Sequence, residues 1–314
     1  MRITNNMLIN NMIRHINNNL DRMSLYQSQI ATGKKISKPS DDPIVASRAL
    51  KLRTDVSEIK QYIRNVQDAQ SWLDTTETAL AHIGDVLQRT RELMLEAANG
   101  TNTPSDTQKI KEEVVELKKQ IIQLSNTTYA DRHIFSGFKT DKKLLIDDET
   151  SPDFGKFNID VSMDENIQYE IGVGIFIRIN VLGGDLFNMG QPAVSNGTSP
   201  DDSTPVLIQH FNELIAALDA GDLEKVNELL NSFDKDIDNV LKLRADVGAR
   251  TNRLELTEYR LETDLINFAE QMSKNEDVDM AQAIINLRNE ENVYRASLAG
   301  GAQIIMPTLV DFLR

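Results

Sequence analysis

Apolar residues at the two ends of this 314-residue chain recur in steps of four and three. Such a repeat keeps one stripe of a helix facing a partner helix. The amino-terminal stripe consists of Ile9, Ile13, Ile16, Leu20, Met23 and Ile30. Near the other end, Val240, Val247, Leu254, Leu261 and Phe268 recur every seven residues. We therefore predict a mainly α fold in which both chain ends form a long antiparallel coiled-coil helical bundle.

The last arm of the chain carries a further set of apolar residues. We predict that they form a subunit interface together with the amino-terminal stripe. They are Ile284, Leu287, Val293, Leu298, Ile304, Ile305, Leu309 and Phe312. An apolar side chain buried in such a seam contributes roughly 1.5–3 kcal/mol. Arms of this kind therefore gain stability when a partner surface covers them, which is typical of a building block.

Charge is unevenly distributed along the chain. The net charge is -14, which argues against nucleic acid as a partner because phosphate binding needs a basic face. Residues 1–40 nevertheless carry a net charge of +5, and residues 270–314 carry -3. Opposite charges on two paired arms help to set their register.

Helix boundaries are marked by local signals. Gly33 ends the first arm, and Asp42 before Pro43 is typical of a helix start, with an N-cap carboxylate and proline at the first helical position. From Val45 the apolar seam continues along a helix of about 55 residues, far longer than an average globular helix. A third helix begins near Pro104.

The middle of the chain has a different pattern. Residues 157–161, 167–171 and 175–181 alternate apolar and polar side chains, as half-buried strands do. Glycines at 172 and 174 favour a turn between the last two segments. We therefore predict a small β-rich insert between two helical halves.

Three parts follow from these boundaries. We predict terminal coiled-coil arms at 1–40 with 275–314, a helical rod at 41–137 with 206–274, and a β-rich insert domain at 138–205. From residue 206 the helical pattern returns.

Nothing in the sequence favours catalysis or a cofactor. The chain has no cysteine, and its four histidines have neither metal-ligand spacing nor a carboxylate at a telling offset. No apolar run is long enough to span a membrane, and the first residues do not read as a cleavable signal peptide. We expect a protein that is not an enzyme, with no catalytic, cofactor or metal site.

Two blocks resemble the flagellin-like proteins of the bacterial flagellar axis. Residues 31–43, ATGKKISKPSDDP, resemble the amino-terminal stretch SSGKRVNSASDDP of that family. Residues 244–255, RADVGARTNRLE, resemble its carboxy-terminal block RAxLGAxxNRLE. The matching family-motif residues are Asp41, Asp42, Pro43, Asn252, Arg253 and Leu254.

The tail indicates which members of the family this chain resembles. Residues 294–313, YRASLAGGAQIIMPTLVDFL, are similar to the tail of the junction proteins between hook and filament. Filament flagellins usually have alanine after the Asp-Asp pair, where this chain has Pro43. Gly301 and Met306 depart from the commonest tail residues, and the resemblance covers residues 1–137 and 206–314 without the insert.

The resemblance implies a structural subunit of the flagellum, extracellular at the hook–filament junction. It implies self-association into a ring of about eleven subunits, a closed symmetric assembly. The implied partners are the first hook-associated protein on the hook side, flagellin on the filament side, and a cytoplasmic export chaperone at the carboxy-terminal arm. Export would use the flagellar type III channel without a cleavable signal peptide.

Two alternatives remain open at this point. A filament flagellin would share the arms and differ in copy number. A cytoplasmic coiled-coil signalling or scaffold protein would explain the heptads but not the paired end blocks.

Overall fold

A computed structural model describes residues 5–36, 38–98, 104–195 and 203–305. The described helices are α1 (Asn5–Thr32), α2 (Pro43–Ala98), α3 (Pro104–Ser125), α4 (Gly183–Phe187), α5 (Val206–Ala220), α6 (Leu223–Glu276) and α7 (Met280–Ile305). The described strands are β1 (Thr128–Tyr129), β2 (Arg132–His133), β3 (Gln168–Gly172) and β4 (Ile175–Arg178). The prediction of a mainly α fold with paired ends and a small β-rich insert is confirmed. Over the described residues no helix is long and apolar enough to cross a bilayer.

By its internal contacts the chain divides into two compact units. One unit is Met1–Ile59 with Thr263–Arg314, and the other is Lys60–Glu262. Helices α2 and α6 each contribute a segment to both units. The three-part division made from the sequence stays a prediction.

The predicted start of α2 has the expected cap. The Asp42 carboxylate accepts hydrogen bonds from the backbone N–H groups of Ile44 at 3.0 Å and Val45 at 3.1 Å. These N–H groups have no partner within the helix, so the cap satisfies donors that would otherwise be lost. Pro43 follows as the first helical residue, where its missing N–H costs nothing.

In the unit Lys60–Glu262, α2 and α6 run antiparallel. Ion pairs join Glu77 to Arg244 at 2.7 Å and Arg91 to Asp234 at 2.6 Å. The seven-residue repeat of α6 is confirmed as buried at four positions. They are Val240, Val247, Leu254 and Leu261.

The buried stripe of α2 also includes polar residues. Thr76 and Thr90 are fully buried at positions that continue the four-three spacing. Each hydroxyl donates a hydrogen bond to the backbone carbonyl four residues earlier, at 2.9 Å. The stripe therefore continues with its polar groups satisfied inside the helix.

The insert contains the predicted hairpin. β3 and β4 pair antiparallel, with Tyr169 opposite Ile177, and Gly174 turns the chain at a φ of +68°. β4 ends at Arg178, three residues before the end of the predicted strand. A second, shorter hairpin of β1 and β2 had no signal in the sequence pattern.

The strand predicted at 157–161 is wrong. Its alternating residues Phe157, Ile159 and Val161 are buried, but the segment has only isolated bridges. The backbone N–H of Phe157 donates to Ser203, while that of Val161 donates to Ala193, each at 2.9 Å. The segment bonds to separate loops, so no continuous ladder forms although the side chains alternate.

Candidate subunit interface

Helices α1 and α7 pack against each other in antiparallel orientation. Residues of one heptad frame on α1 face α7, and they are Met12, Ile16, Asn19, Met23, Tyr26 and Ile30. The facing frame on α7 consists of Ala283, Leu287, Glu290, Tyr294, Ser297 and Gly301. Contacts at Met12 with Gly301 and at Arg22 with Glu290 define one register along the whole pair. The predicted pairing of the two ends is confirmed.

A polar cluster lies in the middle of this seam. Asn19 is 1% exposed, and its side-chain amide donates to a carboxylate oxygen of Glu290. The Arg22 guanidinium donates to both oxygens of the same carboxylate, at 2.8 and 3.0 Å. The hydrogen bond from Arg22 is the main reason that the pKa of Glu290 is lowered. The opposite charges of the two arms meet here, as the sequence predicts.

The far end of the pair has a close approach between side chain and backbone. A Cβ placed on Gly301 would lie 2.0 Å from Cε of Met12 and 2.5 Å from its Sδ. A Cβ on the preceding Gly300 would meet nothing within 4 Å. A Cβ at Gly301 would therefore require the flexible end of Met12 to move, whereas one at Gly300 would displace nothing.

The near end of the pair is closed by a buried carboxylate. Glu276, whose side chain is 3% exposed, pairs with Arg53 at 2.6 Å and with Lys34 at 3.2 Å. Its pKa is lowered, chiefly by the hydrogen bond from Arg53. Backbone hydrogen bonds add to the closure, from Lys35 to the Glu276 carbonyl and from Val278 to the Gly33 carbonyl. These contacts hold the turn after α1 against the junction of α6 and α7.

One side of the α1–α7 pair carries exposed apolar residues. The residues concerned lie about a quarter turn round each helix from the contact face. In an antiparallel pair these two flanks point to the same side. We call this surface the apolar ledge, and its members are Ile13, Leu20, Ile284 and Leu298. All four are exposed, with exposed fractions of 41–48%.

The predicted interface residues therefore fall into groups. Ile13, Leu20, Ile284 and Leu298 lie on the apolar ledge. Ile9, Ile16, Met23, Ile30 and Leu287 belong to the frames that face the seam inside the pair.

The remaining predicted residues lie elsewhere. Val293 is exposed on the side opposite the apolar ledge. Ile304 and Ile305 end α7, but their side chains are outside the described part of the chain. Leu309 and Phe312 lie outside the described residues altogether.

Sequence reasoning missed Asn19, Glu290 and Tyr26 as seam residues. The stripe predicted from the sequence was the one with the most isoleucine and leucine, and Gln27 interrupts it. The frame that faces α7 is itself interrupted by Asn19, so hydrophobicity on α1 alone could not identify it.

The family-motif residues have mainly local structural roles. Asp41 accepts a hydrogen bond from the Lys38 backbone N–H at 3.0 Å, and Asp42 caps α2 as described. Leu254 is fully buried in the seam of α6. Asn252 and Arg253 are exposed on the same helix.

Comparisons with known proteins agree with this architecture. The family model for the bacterial flagellin N-terminal helical region matches residues 3–140. The model for the bacterial flagellin C-terminal helical region matches residues 230–313. Together they span well over half of the chain.

Individual relatives match along nearly their whole length. Flagellar hook-associated protein 3 of Escherichia coli is 27% identical, with 95% of each chain covered. A flagellin of Bacillus subtilis is 28% identical, with 96% of each chain covered. The crystal structure of the flagellar junction protein FlgL from Legionella pneumophila has a similar fold. Its TM-score is 0.56 at 16% identity, covering 71% of this chain and 99% of that chain.

Proposed function

This chain belongs to the bacterial flagellin family, and from that premise we propose that it is a structural subunit joining the flagellar hook to the flagellin filament. The observation that carries the proposal is the apolar ledge. A side of two terminal helices with exposed isoleucine and leucine is typical of a surface that another subunit covers. The end-to-end similarity to hook-associated protein 3 supports the junction as its position.

Deletion of the gene tests the position in the flagellum. We expect cells with hooks but no filaments, and flagellin monomers released into the medium. Intact filaments would contradict the proposal.

The role of the apolar ledge can be tested with two matched leucines on α1. Leu20 lies on the ledge and Leu25 lies on the back of the same helix, and both are 41% exposed. We expect Leu20→Asn to be secreted normally but to fail to restore filaments in the deletion strain. Leu25→Asn should restore them. Equal behaviour of the two variants would show that the ledge is not the docking surface.

We further propose that the subunits close into a ring of about eleven copies, as symmetric assemblies do. The ring would bind the first hook-associated protein on one side and flagellin on the other, outside the cell. Native mass spectrometry of isolated hook–junction complexes tests the copy number. A filament flagellin would instead be the most abundant protein of sheared appendages.

Export of the chain requires that the apolar surface of its arms be covered before assembly. We propose that the chain leaves through the flagellar type III channel and that a cytoplasmic chaperone covers the carboxy-terminal arm first. Ile284 and Leu298 give this arm exposed apolar surface that would need cover before assembly. Loss of chaperone binding to a chain truncated before residue 275, with binding retained by one lacking 1–40, would support this placement.

The three-part division is carried forward as part of the proposal. The arms (1–40 with 275–314) would assemble, the rod (41–137 with 206–274) would support them, and the insert (138–205) would form a β-rich domain. Replacing the insert by a short glycine linker should then leave filament assembly intact. Failure of that chain to assemble, despite normal secretion, would contradict the division.

A further inference from the structure

We propose that Asn19 and Glu290 fix the register in which α1 pairs with α7. The inference concerns pairing within one chain and does not depend on the proposed function. It starts from a buried asparagine, 1% exposed, in a seam otherwise occupied by methionine, isoleucine and tyrosine on α1. Within coiled coils, a buried polar side chain costs stability and favours the one alignment in which it is satisfied.

The apolar residues of α1 do not by themselves select an alignment. Ile16, Met23 and Ile30 are spaced by one heptad and have similar volumes. A shift of seven residues would therefore replace one apolar contact by another at little cost. Something other than hydrophobic contact must distinguish the observed register.

The polar cluster makes that distinction. In the observed register Glu290 accepts from Asn19 and from Arg22. A shift of one heptad in either direction would place Glu290 opposite Ile16 or Ile30. Met12 and His15 would take the places of Asn19 and Arg22 in the first case, and Tyr26 and Gln29 in the second. Either shift removes the carboxylate, 18% exposed in the pair, from the Arg22 guanidinium that binds both of its oxygens.

Asparagine 19 itself contributes to the selection. Its amide nitrogen donates to Glu290, while its Oδ1 atom is buried and has no hydrogen-bond partner among the described residues. Asn19 thus already lowers the stability of the pair in the observed register, because one of its polar atoms is unsatisfied. A shift that puts Ala283 in the place of Glu290 would leave the whole amide buried and unsatisfied, whereas the opposite shift would exchange the carboxylate for the neutral hydroxyl of Ser297.

The close contact at Met12 acts in the same direction. A shift of one heptad in one sense brings Tyr294 opposite Met12, in place of Gly301. The ring would occupy the space that the end of the Met12 side chain fills, so Met12 would have to change its conformation. That clash opposes one shift only, whereas the polar cluster opposes both.

Cysteine cross-linking tests the proposal cleanly because the chain has no native cysteine. In the full-length protein, Ile30→Cys with Ala283→Cys reports the observed register. Met23→Cys with Ala283→Cys reports a shift of one heptad in one direction, and Met23→Cys with Ser297→Cys reports the other. A short thiol-reactive cross-linker traps each paired conformer, and gel mobility with mass spectrometry gives the intramolecular yield.

With Asn19 present, we expect the observed-register pair to exceed either shifted pair by roughly tenfold or more, the scale of a hydrogen bond to a charged group. With Asn19→Leu, at least one shifted pair should rise to a yield similar to the observed-register pair. The matched control is Asn18→Leu, the same change at an exposed position, which should leave the pattern unchanged. Glu290→Gln keeps an acceptor for Asn19 and should also retain the register.

Two outcomes would overturn the proposal. If Asn19→Leu leaves only the observed-register pair cross-linked, other contacts set the alignment. If it abolishes all three cross-links, Asn19 holds the helices together without selecting their register.

Discussion

Alanine substitutions at the adjacent glycines of α7 are expected to differ in their effect on the α1–α7 pair. In a helix interior, alanine is about 1 kcal/mol more favourable than glycine. At Gly300 a Cβ meets nothing within 4 Å, so Gly300→Ala should stabilise the pair by about that amount. At Gly301 the same gain is opposed by contact with Met12, since a Cβ would lie 2.0 Å from its terminal carbon.

The opposing term can be given a scale. Forcing an extra methyl group into a well-packed site costs typically about 1–3 kcal/mol, and the low end applies here because the atoms in the way are the flexible end of Met12. We therefore expect Gly301→Ala to be close to neutral. The two variants should differ by about 1 kcal/mol, or roughly 5-fold in the constant for local opening.

Hydrogen exchange of the α7 amides measures this opening directly. Protection should rise in Gly300→Ala and should remain unchanged or fall in Gly301→Ala. Met12→Ala removes the obstructing atoms. In a chain that already carries Met12→Ala, adding Gly301→Ala should therefore cost less protection than it does in the parent chain. Equal protection in the two single variants would refute the reasoning that Met12 occupies the space over Gly301.

Three further outcomes can be measured by denaturation. Asp42→Ala removes the cap of α2 and should cost about 0.5–2 kcal/mol of unfolding free energy in urea. The pKa values of Glu276 and Glu290 are lowered in the folded chain. The two carboxylates therefore stabilise the fold above about pH 4.5, and this stabilisation is lost as the pH falls through their pKa values in the folded state. Glu276→Gln should reduce this acid sensitivity in thermal melts. Gly174→Ala, at a φ of +68°, should cost about 1–2 kcal/mol, whereas Gly172→Ala, outside that backbone region, should be nearly neutral.

Local signals in the sequence predicted most helix boundaries because their causes are local. Asp42 and Pro43 place the start of α2, and Gly33 follows the last residue of α1. These features act over one turn of the chain, so no knowledge of the fold is needed to recognise them.

Alternation of side chains predicted burial better than it predicted strands. Residues 157–161 bury Phe157, Ile159 and Val161 as expected, yet their backbone groups bond to separate loops. Whether a neighbouring segment forms a ladder depends on distant parts of the chain. The pattern of one segment does not contain that information.

The sequence likewise did not predict which side chains pair when they are far apart in the chain. Nδ1 of His210 donates a hydrogen bond at 2.7 Å to the buried Asp236 carboxylate, 26 residues away on α6. Burial raises the pKa of Asp236, partly offset by His210. No fixed spacing marks such a pair, because the loop between α5 and α6 sets the offset.

The composition of the two seams links the fold to assembly. In α6 the buried repeat is built of valine and leucine, whereas the face of α7 toward α1 includes Ala283, Glu290, Ser297 and Gly301. Several of the larger apolar residues of α7 point away from α1. The pair therefore uses little of its apolar surface internally, and neighbouring subunits would bury the rest. A seam weak in hydrophobic contact gains most from polar contacts that select its register, because small differences then decide between alignments.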